Sequence, residues 1–186
     1  VMQIPKDRQD PRRAGDVKRY HTCHMLQEQS LAHHQWNVAR IAMAIAGDYL
    51  TLPLVKKCLM HDVGELLSGD LPYPSKSYDA DVRKGHRRIE TAGWLGMCAA
   101  WRLPPPQHLS DEEEVILKLA DMIEMWEHAL IEMAFGNRHA IVIAQRAMEY
   151  VRERLRGEDV PDVVRQNAEA YVARRVSYEK EMYDNG

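Results

Sequence analysis

The stretch PLVKKCLMHDVGELLSGDLP, residues 53–72, decides the fold and carries the first sign of chemistry. Pro53 suits the first turn of a helix. Val55, Cys58, Leu59, Val63, Leu66 and Leu67 then recur at helical spacing, which predicts a helix to about Leu67, stopped by Gly69. His61 and Asp62 fall inside this apolar run, where an ionised Asp is costly unless it is paired or bound to a metal. Glu65 lies three residues after Asp62 and four after His61, so all three reach one side of a helix. Taken alone, the segment also reads as a half-exposed helix with a polar stripe.

Helical spacing continues on both sides. A helix over about 33–49 puts Val38, Ile41, Ala42, Ile45 and Tyr49 on one stripe. Residues 69–78 form a loop, because Pro72 and Pro74 remove donors and fix φ. A third helix spans about 79–102 and ends before Pro104-Pro105-Pro106. Ser110 with Glu113 makes a capping box for a fourth, about 111–135, closed by Gly136-Asn137. A fifth runs over about 138–156, stopped by Gly157, and the last begins near Pro161. Residues 1–18 read as an extended lead-in. The expectation is an all-α chain of about six helices forming one domain over 1–186.

Composition narrows the function. Hydrophobic residues at 45% and charged residues at 28% are the balance of a globular protein. A net charge of −3 argues against coating a nucleic-acid polymer, and leaves room for a small phosphate-bearing ligand served by local cations. No apolar run approaches bilayer length, and no signal-peptide core follows the N-terminus, so no membrane partner is expected. Cys23, Cys58 and Cys98 show no paired spacing and read as reduced thiols in a cytoplasmic setting.

Two further segments bear on His61-Asp62. His33-His34 opens the first helix, and adjacent residues point ~100° apart, so one of the two faces inward. His34 lies four residues before Val38, on the apolar side, and is the better ligand candidate. Asp121 sits in Leu117-Lys118-Leu119-Ala120-Asp121-Met122-Ile123, apolar nearly all round, with Leu117 and Met125 one turn to either side. A metal held by His34, His61, Asp62 and Asp121 satisfies all of these awkward groups together. Such a set suits Zn²⁺, Co²⁺ or Mn²⁺, and also Fe²⁺. A metal lowers the pKa of bound water from ~15.7 to ~7, which at 1.36 kcal/mol per unit is on the order of 12 kcal/mol. No single side-chain hydrogen bond competes with that.

The order His34 … His61-Asp62 … Asp121 resembles the signature of the HD-domain superfamily of phosphohydrolases. Arg19-Tyr20-His21-Thr22, His34-Gln35-Trp36, His61-Asp62-Val63-Gly64-Glu65 and Gly69-Asp70-Leu71-Pro72 together resemble one branch of it. That branch holds the bacterial deoxyribonucleoside 5′-nucleotidases of the YfbR type and their phage relatives, among them dATP triphosphohydrolases. The resemblance runs from about Gly15 to Asn137. His33 stands where the family usually has Glu, and Tyr20 where Trp is common. These departures bear on the substrate, since the metal set is intact.

Glu65 is the candidate for orienting or deprotonating the attacking water. The resemblance implies an acidic role for Asp70 at the leaving oxygen or the sugar; an Asx-type turn before Leu71-Pro72 is the plainer reading. Arg19, Lys76 and Lys118 are candidate phosphate clamps. Tyr20 offers a stacking face for a base, Pro74 a pocket wall, and Trp36 reads as core. His21, His24, His86, His108, His128 and His139 receive no role. A second ion, Mg²⁺ or Co²⁺, held by substrate phosphates is compatible with the set. Three cations favour a triphosphate, so the leading expectation is a dATP triphosphohydrolase releasing deoxynucleoside and tripolyphosphate. The alternative is a 5′-nucleotidase on deoxynucleoside monophosphates; a non-catalytic nucleotide-binding module stands further off. The last helix and Met122, Met125 and Met133 suit a homo-oligomer interface or a core.

Overall fold

A computed structural model describes residues 5–6, 9–71 and 79–184. The elements are α1 (Pro11–Gly15), α2 (Leu31–Ile45), a 3₁₀ turn (Gly47–Tyr49), α3 (Leu52–Met60) and α4 (Glu65–Ser68). They continue with α5 (Ala80–Trp101), α6 (Asp111–Ala134), a second 3₁₀ turn (Arg138–Ala140), α7 (Ile141–Leu155) and α8 (Asp162–Asp184). The all-α expectation holds. Among the described residues the one β-type pairing is an isolated antiparallel bridge between Lys18 and Ser30. The chain divides into two compact units, residues 1–36 with 59–107, and residues 37–58 with 108–186.

In the first unit, Ala14, Val63, Leu66, Trp94, Met97 and Cys98 form the core. Here the helix expected from Pro53 to Leu67 is interrupted. α3 stops at Met60, residues 61–64 form turns, and α4 starts at Glu65. Through this segment the backbone bonds join residues three apart: Val63 N–H to Met60 O (3.2 Å), Glu65 to Asp62 (2.9 Å), Leu66 to Val63 (3.2 Å). A distant helix packs against this segment. A Cβ on Gly64 would stand 2.0 Å from the carbonyl oxygen of Glu90, so α5 rests directly on the backbone between His61-Asp62 and Glu65. In such tightened coil, residues three apart eclipse, which keeps Asp62 and Glu65 on one side. The residues read as an extended lead-in contain α1, with Pro11 at its start and the Asp10 carboxylate capping Arg12 N–H. Trp36, expected in the core, is 58% exposed.

In the second unit, the core joins Val38, Ile41, Ile45 and Leu54 to Ile116, Leu119 and Ile123 of α6, and to residues of α7 and α8 such as Val151 and Val164. Met122, Met125 and Met133 are partly buried against it. The capping box forms as expected: Glu113 N–H donates to Ser110 Oγ (3.2 Å), and Ser110 N–H donates to Glu113 Oε2 (2.7 Å). Such a cap stabilises a helix by ~1 kcal/mol. The Thr51 hydroxyl also donates to Glu113, while accepting Leu54 N–H (3.2 Å), so one carboxylate orients the starts of α3 and α6. α8 is tied down by Asn167 Nδ2 donating to Ile45 O (3.4 Å).

Candidate metal centre

Ser30 Oγ accepts His33 N–H (3.3 Å), capping α2 two residues before the expected start. From that start His33 is exposed and His34 fully buried, as the helical face predicted. His61 and Asp62 occupy the turn pressed by α5.

The three side chains converge. Asp62 Oδ2 lies 3.3 Å from His61 Nε2 and 3.8 Å from His34 Nε2. The two rings are 5.4 Å apart and tilted by 57°, and a nitrogen of one lies within 4.8 Å of a nitrogen of the other. Tetrahedral ligands at ~2.1 Å from an ion stand ~3.4 Å from each other. The spacing around Asp62 therefore fits a divalent transition ion, and imidazole nitrogens with a carboxylate oxygen are the right donors for one.

A cation already faces the same carboxylate. Arg19 Nη1 donates to Asp62 Oδ2 at 3.1 Å, with the Arg19 side chain 8% exposed. Arg19 reaches there from a paired segment: its own N–H donates to Gln29 O (3.0 Å), and Leu31 N–H donates to Val17 O (2.8 Å) as α2 begins. Next to it, Tyr20 N–H donates to Asp70 Oδ2 (3.1 Å), across fifty residues of chain. Asp70 is thus bound over long range, and the residues that would close an Asx turn at Leu71-Pro72 fall partly outside the described ones. Gly69, at φ 72°, supplies the left-handed residue that delivers Asp70 there. Glu65 is buried in the turn after Asp62.

Asp121 and Lys118 lie on α6 in the second unit. Lys118 Nζ donates to Asp121 Oδ2 at 2.8 Å, with Asp121 largely shielded. Burial, and secondarily the Asp121 charge, push the neighbouring Cys58 thiol up to about 12. Pro74 and Lys76 lie outside the described residues. One histidine without an assigned role gains a partner: His86 Nδ1 lies 2.9 Å from Glu90 Oε1 on α5, an i,i+4 spacing readable in the sequence. Glu90 is the residue whose backbone abuts Gly64.

Solved structures share this architecture. An HD phosphohydrolase of cyanophage S-2L (DatZ), bound to dA and one catalytic Zn²⁺ ion, matches with TM-score 0.74 at 19% identity, covering 95% of this chain and 99% of that one. An HD-domain phosphohydrolase from Listeria innocua matches with TM-score 0.70 at 20% identity, covering 90% and 86%. These matches define the class by its fold, that of the HD-domain phosphohydrolases.

The YfbR-like 5′-deoxynucleotidase family matches residues 12–169, and the chain belongs to it. A 5′-deoxynucleotidase of Vibrio vulnificus is 28% identical over 152 residues, 72% of this chain and 77% of that protein. The 5′-deoxynucleotidase YfbR of Escherichia coli O127:H6 is 24% identical over 165 residues, 77% and 80%.

Proposed function

We propose that the chain hydrolyses the 5′-phosphoester of deoxynucleoside monophosphates, releasing deoxynucleoside and inorganic phosphate. The observation that carries this reading is Asp62 ringed by His34, His61 and Arg19, with Glu65 buried in the following turn. The relatives named 5′-deoxynucleotidases support the same substrate class. In this reading His34, His61 and Asp62 hold the ion. The sequence order assigns Asp121 as the fourth ligand, and that assignment belongs to the proposal. Zn²⁺, Co²⁺ and Mn²⁺ suit the donors, as does Fe²⁺; the Zn²⁺ of the cyanophage relative favours zinc. When bound, the ion supplies positive charge to the phosphoryl group and acidifies a water.

The chain's own groups do the rest. Glu65 orients the water and takes its proton as oxygen attacks phosphorus. The P–O5′ bond breaks, and the 5′-oxygen leaves with a proton. Asp70 has two roles open to it, donor of that proton or holder of the sugar. Tyr20 offers its ring to the base, with Pro74 as a wall, and Arg19, Lys76 and Lys118 attract the phosphate. The 186 residues act as one HD-type domain in a homo-oligomer. A cytoplasmic setting, the host's if the chain is phage-encoded, goes with a deoxynucleotide substrate.

A second reading is a dATP triphosphohydrolase releasing tripolyphosphate, with Mg²⁺ or Co²⁺ on the substrate phosphates. The dA bound to the cyanophage relative supports an adenine deoxynucleoside. This reading led on sequence, where three candidate phosphate clamps favoured a long phosphate chain. With Arg19 on Asp62 and Lys118 on Asp121, two of those cations already face carboxylates, and the monophosphate moves ahead. Product analysis separates them. Each dNMP and dNTP is incubated with Zn²⁺, Co²⁺, Mn²⁺ or Mg²⁺, and products are identified by chromatography and phosphorus NMR. Phosphate from dNMPs is expected; tripolyphosphate from dATP with inert dNMPs overturns the leading reading in favour of the second.

A further inference from the structure

Tyr20 has φ 56°, one of two non-glycine residues with positive φ among those described. An aromatic side chain enters this left-handed region at a cost, so something must hold it there. Two bonds do. Tyr20 O accepts Cys23 N–H (2.8 Å), closing the turn from within. Tyr20 N–H donates to Asp70 Oδ2 (3.1 Å), fastening the turn from outside. The residue immediately before, Arg19, is the one that reaches Asp62 Oδ2. Asp70 and Asp62 are therefore joined by a short chain of contacts: carboxylate, Tyr20 amide, Arg19 backbone, guanidinium, carboxylate.

We propose that Asp70 is a positioning residue, which holds the left-handed turn at Tyr20 and through it seats Arg19 on the metal-ligand carboxylate Asp62. The inference deepens the functional reading above, resting on Asp62 as a metal ligand, and it gives Asp70 a further role that needs no substrate. The requirement at position 70 is a hydrogen-bond acceptor aimed at an amide, which asparagine satisfies and alanine does not. Groups behind a ligand commonly tune metal affinity about 10–100-fold, so the contact chain has a readout that needs no substrate.

The experiment titrates the purified full chain with Co²⁺ alone, following its visible absorption. Asp70→Ala is expected to weaken Co²⁺ affinity about tenfold, as is Arg19→Ala. The double variant is expected to fall no further than either single one, because both remove the same link. Asp70→Asn is expected to keep a Co²⁺ affinity within about threefold of the unaltered protein, a rescue that a loss of side-chain packing alone would not give. Should Asp70→Ala not fold, Tyr20→Pro cuts the same link from the other side, removing the amide donor and forbidding positive φ; its Co²⁺ affinity should fall about tenfold too. Asp70→Ala or Tyr20→Pro binding Co²⁺ as tightly as the unaltered chain overturns the proposal, as does an additive, about hundredfold, loss in the double variant. If no deoxynucleotide is hydrolysed while the Co²⁺ pattern holds, the functional reading falls and the positioning role stands.

Discussion

Asp62 in the first unit and Glu127 in the second are both shielded carboxylates with arginine beside them, yet their surroundings differ in kind. Glu127 accepts from Arg40 Nη2 (2.6 Å) and from the Tyr171 hydroxyl (2.8 Å), which in turn accepts from Arg40, and Arg175 Nε stands 3.8 Å away. Its neighbours are permanent cations and a phenol, groups that donate hydrogen bonds and do not bind metal ions here. Asp62 has one arginine and two imidazoles, and neutral imidazole offers a lone pair. The first arrangement cross-links helices α2, α6 and α8; the second gathers donors that want an ion. Buried charge alone does not mark a functional site. The lone pairs around it do.

Substitution of either carboxylate tests this difference. The largest effect is expected from Asp62→Ala, which removes the oxygen on which both histidines converge. Turnover should drop at least about 10³-fold, with loss of bound metal in elemental analysis and little change in helical circular dichroism. Glu65→Ala should keep the metal and lose about 10²–10⁴-fold in kcat; unaltered kcat in the metal-loaded variant removes Glu65 from the water-activating role. Glu127→Ala should behave oppositely, leaving Co²⁺ affinity unchanged while stability falls. Breaking a buried pair costs about 3–5 kcal/mol, reduced here to about 2–3 because Arg40 is more than a third exposed. A thermal melt should show this as a drop of about 5–10 °C.

The smallest effect concerns pH. Burial, and then the Glu127 charge, push the Tyr171 phenol up to about 12. The folded state therefore holds this proton more tightly than the unfolded chain, whose tyrosine titrates near 10. The stabilisation is fully present below pH 10 and is lost as pH rises from about 10 to 12. Urea melts at pH 9, 10 and 11 should show a steeper decline for the unaltered chain than for Tyr171→Phe; parallel declines contradict the shift.

Much of the fold was legible because its causes are local. Helical spacing anticipated each long helix to within a few residues, and Ser110-x-x-Glu113 anticipated the cap of α6, since such a box is made of four consecutive residues. His34 could be preferred to His33 because a helix rotates neighbours onto different faces. Where the reading departed from the structure, the cause lay far along the chain. The helix through His61-Asp62 is interrupted where the backbone of Glu90 lies against Gly64, and Trp36 took an exposed position although its neighbours His34 and Gln35 are buried.

The all-α class, the order of the donors and the helical face that turns His34 inward follow from pattern along the chain, because periodicity and capping act within one or two turns. That Arg19 serves Asp62, that Asp70 serves the Tyr20 amide, and that α5 abuts the turn between Asp62 and Glu65 came from folding alone. Those contacts join residues roughly 25 to 50 positions apart. They depend on how backbones meet in space, which no local pattern records.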